Sequence, residues 1–437
     1  MKILLTNTLS NLKEIFKPIN KNCVKMYICG PTIYDRIHVG NCRSVVVFDI
    51  LYKLLSYFYP VYYIRNITDI DDKIINKLNN NNEKFSFFIK KMKKNFHQDL
   101  LFLKCKYPTY EPQATNNIRN IIKIINLLIK KKYAYVYSNN VYFKISNFYN
   151  YGYLSKKELT KQIINSDILM KKNNLDFALW KRYKIGEQIS FNSPWGMGRP
   201  GWHIECSSMS QMHLGNYFDI HGGGRDLLFP HHENENAQSV CSNFNEKYSN
   251  YWIHNGHIIY CKKKMSKKLN NFFTIKELIK QKICPLSLKY FFFTTHYRKK
   301  LNFNIKSIFE CQKIINKIKW CQKLCKNYYK KKNNISIKFI NYLSNDLNTI
   351  DALLYINKMI NEVMKGNYSN IITLLQCCDF LNLLPNNKKN NSYIKKLIIK
   401  RTINKKVKNW KKSDRLRKII ENYGYKIIDN KYNYQLF

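Results

Sequence analysis

An α/β fold is expected for this chain: a Rossmann-like, doubly wound nucleotide-binding sheet with an inserted connective domain, followed by an α-helical bundle and a small C-terminal domain. Three observations point there. Residues 24–28 and 61–64 read as short buried strands, and between them Val46, Ile50 and Leu54 recur at helical spacing. From about residue 105 to 184 the glycines thin out and alternating aromatic patches such as residues 133–143 appear, as in a mixed insertion. After Leu301 the pattern becomes almost wholly helical.

Taken in order, the first strand leads into Cys29-Gly30-Pro31-Thr32, the helix closes at Pro60, and the second strand follows, giving a β-loop-α-β opening. The loop after the first strand is therefore the place for a ligand. Beyond the insertion, the fold resumes near Asn192. Ile305, Ile308, Cys311 and Ile315 then trace one apolar helix face, and the lysine- and asparagine-rich residues 327–334 join it to the next helix. Residues 385–392 are polar and turn-forming, a linker to the final unit. The expected domains are a nucleotide-binding sheet domain over 1–243 with its insertion at about 105–190, a region over 244–300 that carries Lys264 to Lys268, a helical bundle over 301–385 and a C-terminal domain over 386–437.

A length of 437 residues exceeds what one core usually supports, in keeping with several domains. With 75 Lys+Arg against 28 Asp+Glu, the net charge of +47 suits an anionic partner such as nucleic acid. Lys, Asn, Ile and Tyr are abundant throughout, however, so part of this charge reflects coding bias. The 13 cysteines are irregularly spaced and read as reduced thiols, which places the chain in the cytoplasm. No stretch approaches the roughly 20 apolar residues that span a bilayer.

Chemistry concentrates between Gly198 and Glu235. Cys206, His231 and Glu235 form a metal-ligand set, because zinc accepts thiolate, imidazole and carboxylate, and residues four apart share a helix face. Cys29, at the open end of the first strand, is the best fourth ligand. His203, His213, His221 and His232 compete, although a lone histidine is more often a hydrogen-bonded structural residue. His38-Val39-Gly40-Asn41 occupies the strand-to-helix loop, where orphan N–H groups and the helix dipole favour phosphate. There His38 and Asn41 can donate to developing charge, although a histidine beside a glycine is also an ordinary turn. Gly222-Gly223-Gly224-Arg225-Asp226 permits close approach of a flat base, with Asp226 set to accept from a ribose hydroxyl; a tight turn is the plainer reading. Lys264-Met265-Ser266-Lys267-Lys268 could be a solvated charge run, but the following residues 269–274 anchor it with aromatics as a loop able to bring ammonium groups to a triphosphate.

These motifs, with Asn66-Ile67-Thr68-Asp69-Ile70-Asp71-Asp72-Lys73 and Gly201-Trp202-His203-Ile204-Glu205-Cys206, occur in the order and approximate spacing of bacterial cysteinyl-tRNA synthetases, a class I aminoacyl-tRNA synthetase family. The chain resembles that family densely from Tyr27 to Leu301. The likeness continues faintly through Asn345-Asp346-Leu347-Asn348-Thr349 and residues 410–417.

The resemblance implies a ligase that activates L-cysteine with ATP and transfers it to tRNA(Cys), acting as a cytoplasmic monomer. By similarity, His38 to Asn41 is the first class I signature and Lys264 to Lys268 the second. His38, Asn41, Lys264 and Lys267 would be catalytic, and His38, Gly40, Asn41, Gly224, Asp226 and Lys267 would bind ATP and its Mg²⁺. One Zn²⁺ per chain would sit on Cys29, Cys206, His231 and Glu235, with Cys29, Thr68 and Trp202 lining the amino-acid pocket. Lys268 stands where the family usually has serine, Asn270 replaces a usual glycine, and the tail 430–437 lacks the usual Gly-Thr-Trp ending. Two other readings remain: a paralogous ligase that transfers cysteine to a small amine, and a non-catalytic RNA-binding protein that keeps the fold.

Overall fold

The computed structural model describes residues 1–81, 83–157, 175–243, 247–265, 269, 271–325, 335–385, 392–407, 409–422, 427–429 and 434–436. They form two compact units, Met1–Leu384 and Pro385–Phe437.

Four parallel strands lie at the centre of the larger unit, in the order Ser249–Asn255, Phe218–Gly224, Val24–Ile28 and Val61–Arg65. The two strands expected from the sequence are present, the second running one residue further than expected, and the helix between them spans Val39–Phe58. Alternation along a strand sends successive side chains to opposite faces. Val24, Met26 and Ile28 accordingly join the core of the Val39–Phe58 helix, whereas Tyr27 and Cys29 join Cys206 and Met209 of the helix Trp202–Leu214. Helices therefore cover both faces, which explains why the strands are buried almost without interruption.

The insertion contains the helix Ile118–Lys130 and an antiparallel sheet ordered Ala134–Tyr137, Asn140–Phe143, Phe177–Arg182 and Gly198–Pro200. Ser138 and Asn139 take positive φ values of 49° and 61°, as a two-residue hairpin turn matched to strand twist requires. The sheet extends past the expected boundary near residue 190, because its edge strand Gly198–Pro200 is too short, and too rich in glycine and proline, to carry an alternating signal.

Beyond the four-stranded sheet, Ile258–Tyr260 pairs with Lys263–Lys264 and with Leu301–Asn302. Helices Pro285–Phe293, Ile305–Leu324, Ile337–Ser344, Thr349–Met364 and Ile371–Phe380 follow. Ile308, Cys311 and Ile315 are buried, whereas Ile305, in the first turn of its helix, is only half-buried. The expected connection 327–334 and residues 386–391 of the expected linker lie outside the described residues. The smaller unit holds helices Ser392–Lys406 and Trp410–Asn422 and a hairpin of Ile427–Asp429 with Tyr434–Leu436, with Leu397, Ile398 and Ile420 at its core. Residues 430–433 and 437 of the tail lie outside the described residues. Among the described residues no helix is long and apolar enough to cross a membrane.

Asp346 ties the N-terminal hairpin to the helical part. Its carboxylate accepts from the Thr6 N–H (2.9 Å), the Thr6 hydroxyl and the Tyr297 hydroxyl (2.8 Å). Its φ of 56° lies in the left-handed region, which aspartate tolerates better than most residues. Asp346→Ala leaves three buried donors without an acceptor and is expected to lower unfolding free energy by about 3 kcal/mol, read from urea denaturation. A loss below about 1 kcal/mol, the size of an ordinary surface change, would contradict this.

Candidate active site

Because the four strands are parallel, their C-terminal ends open on one edge, where sites in such sheets assemble. Cys29 follows the first strand there and faces Cys206 across the sheet-to-helix interface. Its Sγ lies 3.7 Å from Cys206 Sγ, 3.8 Å from His231 Nε2 and 3.3 Å from Glu235 Oε1. Cys206 Sγ is 3.6 Å from His231 Nε2, which is 3.0 Å from Glu235 Oε1. All four residues are at most 8% exposed. A tetrahedral zinc with ligands at about 2.0–2.3 Å requires ligand atoms roughly 3.3–3.8 Å apart, so the donor types fit, as do the four spacings above that involve a thiol, while His231 and Glu235 stand slightly closer, in direct hydrogen-bond contact. His231 and Glu235 meet four residues apart as expected: His231 lies in the turn Leu228–His232, beyond its one non-helical residue Phe229, and Glu235 lies in the first turn of the helix Glu233–Ser242 that continues it.

Cys29, His221, His232 and Glu235 form a second possible metal group sharing two members with the first. The hydrogen bonds favour the first. His221 Nε2 is 2.9 Å from Glu235 Oε2, so it holds the oxygen turned away from Cys29 and His231. His203 Nδ1 lies 2.8 Å from His231 Nδ1 and turns His231 Nε2 toward the thiols. Two of the competing histidines are thus supports that orient ligands. His232 Nδ1 contacts His254 Nε2 at 2.7 Å, and His254 Nδ1 reaches Thr8 Oγ1 at 2.8 Å. His213 sits against the Tyr110 ring instead. His254 was not singled out from the sequence, although its place at a parallel-strand end is the signal that identified Cys29.

The four side chains shift one another's ionisation. Burial pushes the Cys29 thiol well up, with Cys206 and Glu235 adding to the effect. Burial also works against ionisation of Cys206, but the Cys29 hydrogen bond and His231 bring it down to about 7. His231 is raised to about 10 against the cost of burial, by Glu235 and Cys206. Glu235 is likewise held well below the usual carboxylate range against burial, by His221 and His231. A metal bound here would displace protons from Cys29 and His231.

The remaining expected residues fall into two further groups. Trp202 is partly exposed and stacks on His231 with centroids 4.2 Å apart. Thr68 is buried beside Thr32 and accepts from Asn66 Nδ2 at 3.3 Å. The glycine triplet ends a strand and is not the tight turn considered from the sequence. A Cβ on Gly222 would stand 2.4 Å from the Phe48 ring, and one on Gly223 2.8 Å from His232, so close packing requires glycine there. Asp226 accepts from Lys264 Nζ at 3.1 Å, which joins the triplet segment to the second signature. Against some desolvation, Lys264 holds the half-exposed Asp226 carboxyl below its ordinary value. His38 caps the Val39–Phe58 helix, its Nδ1 accepting from Gly40 N at 3.0 Å, and Asn41 lies in that helix's first turn. His38 also bridges Thr274, and Val39 N donates to Phe273 O at 2.8 Å, so the first signature is tied through backbone to the segment that follows the second. Ser266, Lys267, Lys268 and Asn270 lie outside the described residues.

The family model of the class I (C) tRNA synthetase catalytic domain matches residues 15–313. The chain is 41% identical over 448 residues to a cysteine–tRNA ligase of Ehrlichia ruminantium, covering 98% of each chain. The chain belongs to the class I cysteine–tRNA ligase family. Another member, from Rickettsia bellii, is 40% identical over 443 residues, covering 95% of each. The class I synthetase fold is also seen in a Mycobacterium tuberculosis methionyl-tRNA synthetase in complex with methionyl-adenylate, at TM-score 0.55 and 9% identity over 83% of this chain and 90% of that one. An Agrobacterium radiobacter LeuRS in a ternary complex with tRNA and LeuAMS superposes at TM-score 0.58 and 7% identity, covering 84% of this chain and 83% of that one.

Proposed function

We propose that this synthetase joins L-cysteine to tRNA(Cys) in two steps. The cysteine carboxylate attacks the α-phosphate of ATP, giving cysteinyl-adenylate and pyrophosphate; a terminal ribose hydroxyl of the tRNA then takes the cysteinyl group and releases AMP. The observation that carries this reading is the buried set Cys29, Cys206, His231 and Glu235 at the strand edge that also presents the glycine triplet and Asp226. A Zn²⁺ held by those four side chains would supply an acceptor for the substrate thiolate, which serine cannot match.

The protein's own groups position and stabilise. His38 Nδ1 accepts from Gly40 N, which places the imidazole proton on Nε2, ready to donate to a phosphate oxygen. Asn41 would donate beside it, while Lys264 and Lys267 would neutralise charge on the ATP phosphates, with Mg²⁺ arriving on the nucleotide. Gly40 and Gly224 would let the nucleotide approach the backbone, with Asp226 at its ribose. Trp202 and Thr68 would line the cysteine pocket. No protein nucleophile is needed. Within 1–243 the catalytic domain would carry the insertion, 244–300 would hold the second signature, and 301–385 and 386–437 would reach along the tRNA. The enzyme would act as a cytoplasmic monomer.

The test supplies radiolabelled cysteine, ATP and purified tRNA(Cys) to the full chain. Label is expected to appear on the tRNA as an alkali-labile ester. Transfer only to a small amine would favour the paralogous ligase, and absence of cysteine-dependent ATP–pyrophosphate exchange would leave only a binding protein.

A further inference from the structure

We infer that Arg43 is a positioning residue for adenylate formation, fixing where the second-signature segment begins relative to the first-signature helix; this rests on the function proposed above. Arg43 lies in the first turns of the Val39–Phe58 helix and is fully buried, with backbone carbonyls as its acceptors. Nη1 donates to Gly256 O at 2.9 Å, His257 O at 3.2 Å and Lys299 O at 2.8 Å, and Nη2 to His296 O at 3.2 Å. Its two Nη atoms draw four carbonyls from two separate stretches of chain to one point, while its Nε has no partner among the described residues, so what these bonds fix is the relative position of those stretches.

That geometry is a crossing of two backbones. Gly256 N donates to Tyr297 O at 2.8 Å, and a Cβ on Gly256 would stand 2.4 Å from Lys299 O. Two residues later the chain enters the strand Ile258–Tyr260, which turns back as Lys263–Lys264, with Met265 N donating to Ile258 O at 2.9 Å. The path of Lys264 to Asp226 is therefore set at the crossing that Arg43 clamps. Beyond the loop, Phe273 and Thr274 return to Val39 and His38. The same helix thus holds the segment before and after the loop, the first tether through the Arg43 side chain.

The test is ATP–pyrophosphate exchange by the full chain, with cysteine varied, in Arg43→Lys, in Lys264→Ala and in the double variant. Lysine keeps the charge but cannot span four carbonyls. A displacement of about 1 Å predicts a turnover loss of about 10- to 100-fold, while KM for cysteine stays within about twofold. In the Lys264→Ala background Arg43→Lys is expected to cost less than about twofold more, because both act through one ammonium. Gly256→Ala, which forces the crossing open with Arg43 intact, should show the same dependence on Lys264. Wild-type turnover in Arg43→Lys, losses that multiply with Lys264→Ala, or unfolding of both Arg43→Lys and Gly256→Ala would each overturn the inference. No exchange in the unmodified chain would instead remove the function on which it rests.

Discussion

Cys206→Ala is expected to remove most of the bound zinc and to collapse discrimination of cysteine from serine from on the order of 10⁴ or more to about 100-fold, while the fold persists. The lower figure is what a pocket achieves by shape between near-isosteres, and the upper is what loss of a strong designed contact can give. Cys206 is the thiol brought down to about 7, so in the absence of metal it is the better thiolate of the pair. Its removal also leaves His231 and Glu235 paired with each other at 3.0 Å, a stable ion pair that competes with metal binding. The fold should survive because the side chain is small and the surrounding core, with Tyr27, Met209 and Trp252, is large. The measurement pairs zinc content of the purified variant with exchange kinetics on both amino acids. A variant that loses the metal but keeps full selectivity would show that the four ligands serve only structure. Zinc lost together with a large fall in melting temperature would point the same way.

The four residues of the candidate metal group were legible because each carries its own signal: a thiol at a strand end, and a thiol, an imidazole and a carboxylate close together further on. What the sequence did not convey is which face of the strand Cys29 occupies. Period-two alternation answers this once Met26 and Ile28 are known to face the Val39–Phe58 helix. The competing histidines could not be sorted from spacing, since His203, His221 and His231 differ only in which atom of which neighbour they reach. The glycine triplet read equally well as a turn, because glycine is depleted in strands and nothing local reports that Phe48 and His232 press against it. Arg43 gave no signal at all. A lone arginine in a helix is ordinarily solvent-facing, and the carbonyls it holds lie 213 and more residues away in sequence.

His38→Ala is expected to lower turnover in cysteine-dependent exchange by about 10²- to 10³-fold, the usual cost of removing one donor aimed at developing charge. The variant loses two things at once. His38 accepts from Gly40 N as the helix cap, and it would donate through Nε2 to phosphate. His38→Asn separates them, because asparagine is among the best capping residues yet too short to extend a donor where Nε2 stood. The alanine variant should lose about 1 kcal/mol of stability and asparagine should restore most of it, whereas turnover should remain low in both. Zinc content should be unchanged, because Cys29 and Cys206 lie in the core on the Trp202–Leu214 side of the sheet while His38 heads the helix on the other side. Melting curves and exchange rates on the two variants therefore decide between the plain and the catalytic reading of this histidine. If asparagine recovers the rate along with the stability, the cap is all that His38 contributes, and the positive end of the helix, with Asn41 and the lysines, carries the phosphate without it.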